Sequence, residues 1–195
     1  MGAPSGSPIG AAGSGGIPPA AVPVDAIGAT VTGMAATGIS AEDSTWLARA
    51  IELAVANVAD GGGPFGALVV RDGAVVAEGQ NRVTRDLDPT AHAEVQAIRA
   101  ACKAAGDFAL PGATLYTSCE PCPLCLSAAL WARIDRIVYA ADRHDAARGG
   151  FDDRDFYELF GRDRSEWHVR IDGLRVDAAP TPFDAWLALE SRADY

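Results

Sequence analysis

Residues 117–126 read Thr-Ser-Cys-Glu-Pro-Cys-Pro-Leu-Cys-Leu and contain three of the four cysteines of the chain. Cys122 and Cys125 have the Cys-x-x-Cys spacing, and Pro123 stands between them where a helix can begin, because proline lacks the N–H that a first-turn residue cannot pair. Residues three apart share one face of a helix, so both sulfurs can reach one ion. The stretch therefore predicts a metal site at the start of a helix.

A third metal ligand lies upstream, in the run Thr-Ala-His-Ala-Glu that ends at Glu94. The thiolates of Cys122 and Cys125 and the imidazole of His92 make a three-ligand zinc site, which leaves the fourth position open for water. Glu94 is too close to His92 along the chain to share its ligand position easily. It is well placed to take a proton from that water, which is general acid/base work. The two motifs together predict a hydrolytic zinc centre.

Two other interpretations of the cysteines stay open from spacing alone. Cys119 could complete a closed structural site with three cysteines and one histidine, although Glu94 would then have no role. A metal-free Cys-x-x-Cys redox pair is the second alternative, and the paired His-x-Glu argues against it.

Composition and charge narrow the class of protein. The chain has 195 residues, 49% of them hydrophobic, and a formal net charge of −10, and these values fit one ordinary globular domain. An acidic chain gains little from counterion release on a polyanion, so nucleic-acid binding is disfavoured. No apolar run approaches a membrane helix, and no basic residue precedes Arg49, so no secretion signal is evident. Clustered cysteines in such a chain favour metal binding over disulfides and predict a cytoplasmic protein.

The chain divides at about residue 40. Residues 1–39 are rich in Gly, Ala and Pro and show no periodicity, so we predict a disordered extension, followed by one domain over 40–195. The pattern predicts an α/β domain whose sheet is partly parallel. The expected first half begins with a helix capped by Ser40 and Asp43 that runs to about 58, followed by a hairpin that turns at Asp72-Gly73 and a helix over about 91–105 capped by Asp88 or Thr90. A short strand over 113–117, a helix to about 132 and a strand over 136–141 buried on both faces come next. The rest is expected to form a loop from 142 to 153, a helix over 154–160, a strand-like stretch over 167–176 and a last helix from Thr181.

The pairing of His-x-Glu with a downstream Pro-Cys-x-x-Cys is typical of zinc-dependent base deaminases. The chain therefore resembles the cytidine-deaminase-like superfamily, and within it the guanine deaminase branch, from about Asp43 to Tyr195. The stretches that carry the resemblance are 63–67, 77–81, 88–95, 116–123, 131–133, 150–153 and the terminal tyrosine.

This resemblance implies a three-layer α/β/α fold around a five-stranded mixed sheet. It also implies removal of the 2-amino group of guanine, with hydroxide generated on Zn²⁺ attacking C2 and Glu94 passing the proton to ring N3. Asn81 and the Ala93 backbone would hold the base. Asp153 would contact its amino edge and relay a proton to ammonia, since a carboxylate suits a donor-rich edge. Phe65 and Trp131 could wall the purine, although a plain core role is as plausible for either.

The resemblance further implies a homodimer in which a C-terminal lid, residues 180–195, exchanges between protomers and brings Tyr195 over the partner's site. Three alternative functions remain. A guanosine or other nucleoside deaminase is one, and a tRNA adenosine deaminase, which shares the zinc motif, is another. A zinc-stabilised binding module without catalysis is the third, and the presence of Glu94 argues against it.

Overall fold

A computed structural model describes residues 38–151 and 153–193, and of Asp153 it describes the backbone alone. The predicted N-terminal extension therefore lies outside the described residues except for Gly38 and Ile39. The elements in chain order are α1 (Ala41–Ala59), β1 (Gly66–Arg71), β2 (Ala74–Gln80), α2 (Val83–Asp86), α3 (Ala93–Ala105), β3 (Thr114–Cys119), α4 (Pro123–Trp131), β4 (Arg136–Ala141), α5 (Arg143–Arg148), α6 (Asp153–Phe160), a 3-10 turn (Arg164–Glu166) and α7 (Thr181–Ala188).

The sheet has the order β2-β1-β3-β4. β1 runs antiparallel to both β2 and β3, whereas β3 and β4 are parallel. Asp72 and Gly73 both have positive φ at the β1–β2 turn, as a two-residue type I′ hairpin requires. The predicted α/β class, its hairpin and its partly parallel sheet are confirmed. Over the residues that the structure describes, however, the sheet has four strands, not the predicted five.

Alternate residues of the central strands pack against helices on opposite faces of the sheet, as the period of a strand requires. One face joins α1, through a cluster of Ala50, Leu68, Val70, Tyr116 and Val138. The other face joins α3 and α4, through a larger cluster that includes Ala67, Val69, Leu115, Ala97, Ala101 and Ala129. Both faces of β1 and β3 are therefore buried, and the helices that carry the candidate ligands rest on one of them.

Close approach between β2 and α3 depends on Gly79. A Cβ added at Gly79 would lie 2.2 Å from the carbonyl oxygen of Ala93 and 2.4 Å from the amide nitrogen of Ala97. No side chain fits into that space, so glycine lets the first turns of α3 lie directly on the strand. The start of α3 is thus fixed beside the end of β2.

Helix boundaries confirm some of the predicted caps and correct others. Ser40 and Asp43 form the predicted capping box of α1, with the Ser40 Oγ accepting from the Asp43 amide at 3.1 Å. The predicted cap of α3 by Asp88 or Thr90 is wrong, because α3 begins after His92 without a side-chain cap. Asp88 instead accepts hydrogen bonds from the amide and hydroxyl of Thr90 within the preceding turn.

Three predictions about the second half of the chain are wrong. β4 is not buried on both faces: it is the last strand of the sheet, and Tyr139 is 46% exposed. Part of the predicted loop after Asp142 is helical, since Asp142 and Asp145 form a capping box that starts α5. Residues 167–176 form no strand, although they follow a strand-like pattern.

The C-terminal part of the chain exposes many large apolar side chains. α7 forms where a helix was predicted and buries no residue. The exposed apolar residues of this part are Val169, Ile171, Leu174, Val176, Phe183, Trp186, Leu187 and Leu189. No helix among residues 38–151 and 153–193 combines the length and the apolar character that a membrane span needs.

Candidate metal centre and catalytic cavity

The three candidate ligands come together at the N-terminal ends of two helices. His92 immediately precedes α3, Cys122 immediately precedes α4, and Cys125 lies in the first turn of α4. The His92 Nδ1 lies 3.5 Å from each sulfur, and the sulfurs are 3.7 Å apart. Tetrahedral zinc with its usual bond lengths places two sulfurs about 3.7 Å apart and sulfur and nitrogen about 3.5 Å apart. The donor set therefore fits Zn²⁺ in both chemistry and spacing.

The two ligand thiols differ in their ionisation: the hydrogen bond to Cys122 and burial raise the pKa of the Cys125 thiol, whereas the pKa of Cys122 is lowered. Hydrogen bonds from Cys125 and His92 outweigh burial and lower the pKa of the Cys122 thiol to about 4. The positive end of the α4 dipole lies at the same place and favours a thiolate. Thiolates are the form in which cysteine binds zinc, so the site is prepared for the metal.

Cys119 does not join this group. Its thiol donates to the carbonyl oxygen of Asp142 at 3.6 Å, at the end of β3. Among the described residues, the ligand cluster consists of His92, Cys122 and Cys125, whose ligand atoms all lie within 4.8 Å of one another. The alternative of a closed site with Cys119 as fourth ligand is therefore not supported, and an open position remains.

The predicted acid/base residue lies beside the ligands, at the bottom of a cavity of about 460 Å³. Glu94 is in the first turn of α3 and is 5% exposed. Burial raises the pKa of its carboxyl group above the usual value. A carboxyl whose pKa is raised takes up a proton more readily than an ordinary one, which suits a residue that accepts a proton and gives it back. The cavity is lined by residues 61–65, Asn81, Val83, Thr84, His92, Glu94, Glu120, Cys122, Phe151 and Phe156.

Polar groups for a ligand come from Asn81 and from the start of α3. Asn81 follows β2, is buried, and accepts a hydrogen bond from the Val83 amide through its Oδ1 at 3.3 Å. Its Nδ2 donors are then left for a ligand in the cavity that it lines. Ala93 lies between two residues of the cavity wall, and as a first-turn residue its N–H has no partner within the helix.

Aromatic rings close one side of the cavity. The rings of Phe65 and Phe151 meet edge to face with their centroids 4.7 Å apart, and both residues line the cavity. Phe65 was expected there from the resemblance. Phe151 and Phe156 were not expected as site residues, and only the position of Phe151 beside the matching Asp153 could have suggested it.

The structure does not bring every expected residue to this cavity. Trp131 is the last residue of α4, 60% exposed and outside the cavity lining. Asp153 starts α6 two positions after Phe151, so its backbone is near the aromatic wall, but its side chain is not among the described atoms. Tyr195 lies outside the described residues.

The sequence did not predict an ion pair at the metal loop, residues 120–122, which leads from β3 to α4. Glu120 precedes Pro121 and Cys122 and lines the cavity. It accepts hydrogen bonds from the Arg143 amide at 3.1 Å, from Nε at 2.9 Å and from Nη2 at 2.5 Å. The Arg143 guanidinium holds the pKa of Glu120 below its usual value, so the carboxylate stays ionised and bound. The Tyr157 hydroxyl donates to the Pro121 carbonyl from the other side.

Comparison with known proteins identifies a deaminase zinc-binding region. Residues 40–141 match the family model of the cytidine and deoxycytidylate deaminase zinc-binding region. This range extends from the cap of α1 to the end of β4. It contains all three candidate ligands and Glu94.

Individual relatives extend the likeness beyond that region. The guanine deaminase of Bacillus subtilis is 48% identical over 152 residues, which make up 77% of this chain and 97% of that protein. An X-ray structure of guanine deaminase from Bacillus subtilis gives a TM-score of 0.76 at 47% identity and covers 80% of this chain and 99% of that one. A structure of guanine deaminase from Nitrosomonas europaea gives a TM-score of 0.55 at 34% identity, covering 59% and 66%.

A tRNA-specific adenosine deaminase is similar over a shorter range. The protein of Agrobacterium fabrum is 53% identical over 79 residues, which are 40% of this chain and 51% of that protein. The likeness to the guanine deaminase of Bacillus subtilis covers almost twice that share of the chain.

Proposed function

Because the chain belongs to the family of the cytidine and deoxycytidylate deaminase zinc-binding region, we propose that it converts guanine and water to xanthine and ammonia. The hydrolytic reaction is supported by a three-ligand metal centre with Glu94 buried beside it. The substrate is supported by one observation above all, the likeness to guanine deaminase over nearly the whole of that protein. The tRNA alternative is supported over a shorter range, and the net charge of −10 does not favour a polyanion.

The chemistry divides between the metal and the cavity residues. A zinc ion held by His92, Cys122 and Cys125 would act as a Lewis acid that lowers the pKa of a water molecule. Water adds to C2 of the base, the bond from C2 to the exocyclic nitrogen breaks, and the nitrogen leaves as ammonia. Glu94 takes the proton that the water gives up and passes it to ring N3. Its raised pKa suits a group that alternates between both states.

The remaining cavity residues hold and orient the base. The Asn81 Nδ2 donates to an acceptor on the ring, and the N–H of Ala93 adds a second donor. Phe65 contacts the flat face of the purine together with Phe151, the partner of its edge-to-face pair. Asp153 accepts hydrogen bonds from N1–H and the 2-amino group, because an ionised carboxylate is an acceptor only. It then takes the second proton of the added water, from the hydroxyl on C2, and passes it to the amino nitrogen, which leaves as ammonia.

We also propose that two copies of the chain exchange their C-terminal segments. The outer edge of β4 pairs with no strand among the described residues, and an apolar groove of about 330 Å³ lies between β4 and α1. Residues 167–176 combine a strand-like pattern with exposed Val169 and Ile171. In the exchanged dimer this segment forms the fifth strand beside the partner's β4, in a three-layer fold. The following residues then carry Tyr195 over the partner's cavity.

We place the reaction in the cytoplasm. All four cysteines are free thiols in the structure, and the two ligand thiols must stay reduced to bind zinc. A reducing compartment meets that need.

The experiment that tests the function is an ammonia-release panel on the zinc-loaded protein. Its substrates are guanine, guanosine, adenine, cytosine, cytidine and tRNA, and zinc content is measured on the same sample. We expect release from guanine, and release from guanosine or tRNA alone would overturn the substrate. Glu94→Gln should keep its zinc and lose at least about 10²-fold in kcat, whereas Glu52→Gln, an exposed carboxylate change, should match the wild type.

A further inference from the structure

Asn57 is a polar side chain that is completely buried, near the C-terminal end of α1. Its Nδ2 donates two hydrogen bonds, one to the carbonyl oxygen of Gly63 and one to that of Asn81, each at 2.8 Å. A buried amide without partners would cost free energy, and here both N–H groups are used. The two carbonyls belong to two separate segments of the cavity wall. Asn57 therefore joins these segments from behind.

The orientation of the Asn57 amide is fixed by Arg85, next to the cavity-lining Thr84 in α2. The Arg85 Nη2 lies 2.9 Å from the Asn57 Oδ1 and also reaches the carbonyl oxygen of Asp60 at 3.2 Å. Arginine has donors only, so the atom of Asn57 facing it must be the oxygen. The Nδ2 is consequently the atom that faces the two carbonyls.

The side chains of Asn57 and Asn81 also explain why glycines stand at positions 62 and 63 of the loop that lines the cavity. A Cβ added at Gly62 would lie 2.5 Å from the Asn57 Nδ2, and one added at Gly63 would lie 3.0 Å from the Asn81 Oδ1. The main-chain N–H of Asn81 also donates to the carbonyl oxygen of Phe65 at 3.1 Å. The loop, the end of β2 and α1 are thus joined by hydrogen bonds, and positions 62 and 63 have no space for a larger side chain.

We propose that Asn57 is a positioning residue for base recognition, acting through Asn81; this inference rests on the proposed function. Asn57 holds the main chain of Asn81, and the Val83 amide holds its Oδ1. The Asn81 Nδ2 is then presented to the cavity in one orientation before the base arrives. Loss of the Asn57 amide frees that main chain and weakens binding of the base. The reaction at the metal, which Asn57 does not touch, is affected less.

The test is a double-mutant cycle on kcat and KM with guanine, using zinc-loaded Asn57→Ala, Asn81→Ala and the double variant. We expect Asn57→Ala to raise KM between about tenfold and 10²-fold, as misplaced binding groups do, with kcat within about threefold of wild type. In the Asn81→Ala background, Asn57→Ala should alter KM by less than about twofold, because the Asn81 side chain that Asn57 positions is absent. The inference would be overturned if the increases in KM of the two single variants multiply in the double variant, or if Asn57→Ala leaves KM unchanged.

A matched control separates this role from a loss of stability. Tyr116→Phe removes another buried hydrogen bond, from the Tyr116 hydroxyl to Asp43 at 2.7 Å, away from the cavity. It should lower the free energy of unfolding and leave KM unchanged at a temperature where the protein is folded. An equal rise of KM in this control would assign the effect of Asn57→Ala to general destabilisation and overturn the inference.

A second variant, Arg85→Leu, tests the positioning role of Asn57 if Asn57→Ala does not fold. Arg85→Leu changes a partly exposed side chain and leaves the Asn57 oxygen without its donor. It should raise KM about threefold to tenfold, again only when Asn81 is present, and an unchanged KM would contradict the role of Asn57. Absence of ammonia release by the wild type would remove the proposed function and this inference with it. An active wild type with multiplying effects would remove the inference alone.

Discussion

The Arg143 guanidinium lies between the Glu120 carboxylate, with Nε to Oε2 at 2.9 Å, and the ring of Tyr157, whose centroid is 3.7 Å from Cζ. Glu120 belongs to the loop that leads into the ligand Cys122, whereas Arg143 and Tyr157 belong to α5 and α6. The pair is partly buried and bidentate, which is the geometry in which an arginine–carboxylate pair contributes most reliably. It fixes the segment that carries Phe151 and Asp153 against the metal loop.

Removal of this ion pair should weaken catalysis more than it weakens the fold. We expect Arg143→Gln to lower kcat/KM about tenfold, because the segment around Phe151 is then no longer held against the loop that leads into Cys122. Steady-state kinetics with guanine would measure the change. Arg148→Gln is the matched control, since Arg148 lies on the same helix, is mostly exposed and, among the described residues, forms an ion pair with Asp145. Equal losses in both variants would contradict the assignment.

Asp43 should make stability depend on acid pH. The Arg136 guanidinium first of all, and then the Ser40 amide and the Tyr116 hydroxyl, hold the pKa of Asp43 well below its usual range. A carboxyl whose pKa is lower in the folded chain stabilises the fold above its unfolded pKa of about 4, and loses that contribution as pH falls through the folded pKa. We expect Asp43→Asn to lower the free energy of unfolding by about 2 kcal/mol at pH 7, and by less below about pH 4.

Urea unfolding of wild type, Asp43→Asn and Asp177→Asn at several pH values would measure this. Asp177 is exposed, so its variant should follow the wild type. Acid causes all three proteins to lose zinc, and the effect of that loss cancels when their free energies of unfolding are compared at the same pH. A difference for Asp43→Asn that stays constant from pH 7 to pH 3 would contradict the expectation.

Gly79→Ala should damage both the fold and the site. Its added methyl would meet the backbone of α3 at 2.2 Å, so the helix must move away from β2, at a cost of about 3 kcal/mol. Since α3 begins directly after the candidate ligand His92, zinc affinity should fall as well. Gly161→Ala is the control, because the nearest atom there is 3.4 Å away. Denaturation curves and competition with a chelator would report the two effects.

Cys125→Ser should prevent stable zinc binding and reproduce the effect of a chelator on the wild type. Cys125 is fully buried, so loss of the metal leaves polar groups in the interior without their shared partner. Zinc stoichiometry and the melting temperature should both fall. Cys102→Ser, which changes the cysteine remote from the motif, should keep a full complement of zinc.

The exchanged dimer can be tested without shortening the chain. Ile171→Asp changes a side chain that is exposed in the single chain, so it should not affect a monomer. If residues 167–176 pair with the partner's β4, the charge must be buried there, and the variant should sediment as a monomer with little activity. Ile171→Val is the matched control and should remain dimeric. A dimer that tolerates Ile171→Asp would contradict the exchange.

Local signals predicted the metal centre and the first half of the fold. The capping box at Ser40, the turn at Asp72 and the two metal motifs each act within a few residues, so the sequence shows them directly. The helix α5 had such a signal in Asp142 and Asp145, but the polarity of the surrounding residues favoured a loop. β4 is as apolar as a buried strand, and only the order of the strands places Tyr139 at an edge.

Contacts between distant segments could not be predicted. A single asparagine in a helix, such as Asn57, is usually an exposed residue, and its carbonyl partner at Asn81 lies 24 positions away. Glu120 and Arg143 meet because the parallel strands β3 and β4 end side by side, which follows from topology and not from spacing. The stretch 167–176 has a strand-like pattern but pairs with no strand among the described residues, so pattern alone could not decide its structure.

The separation of the ligands along the chain has a consequence for biosynthesis. His92 and Cys125 are 33 positions apart, with all of α3 and β3 between them. A growing polypeptide must therefore emerge from the ribosome as far as α4 before it can capture an ion, and capture then closes that long loop. We expect newly made chains in zinc-poor cells to remain immature and open to proteases, because metal affinity and folding draw on the same free energy.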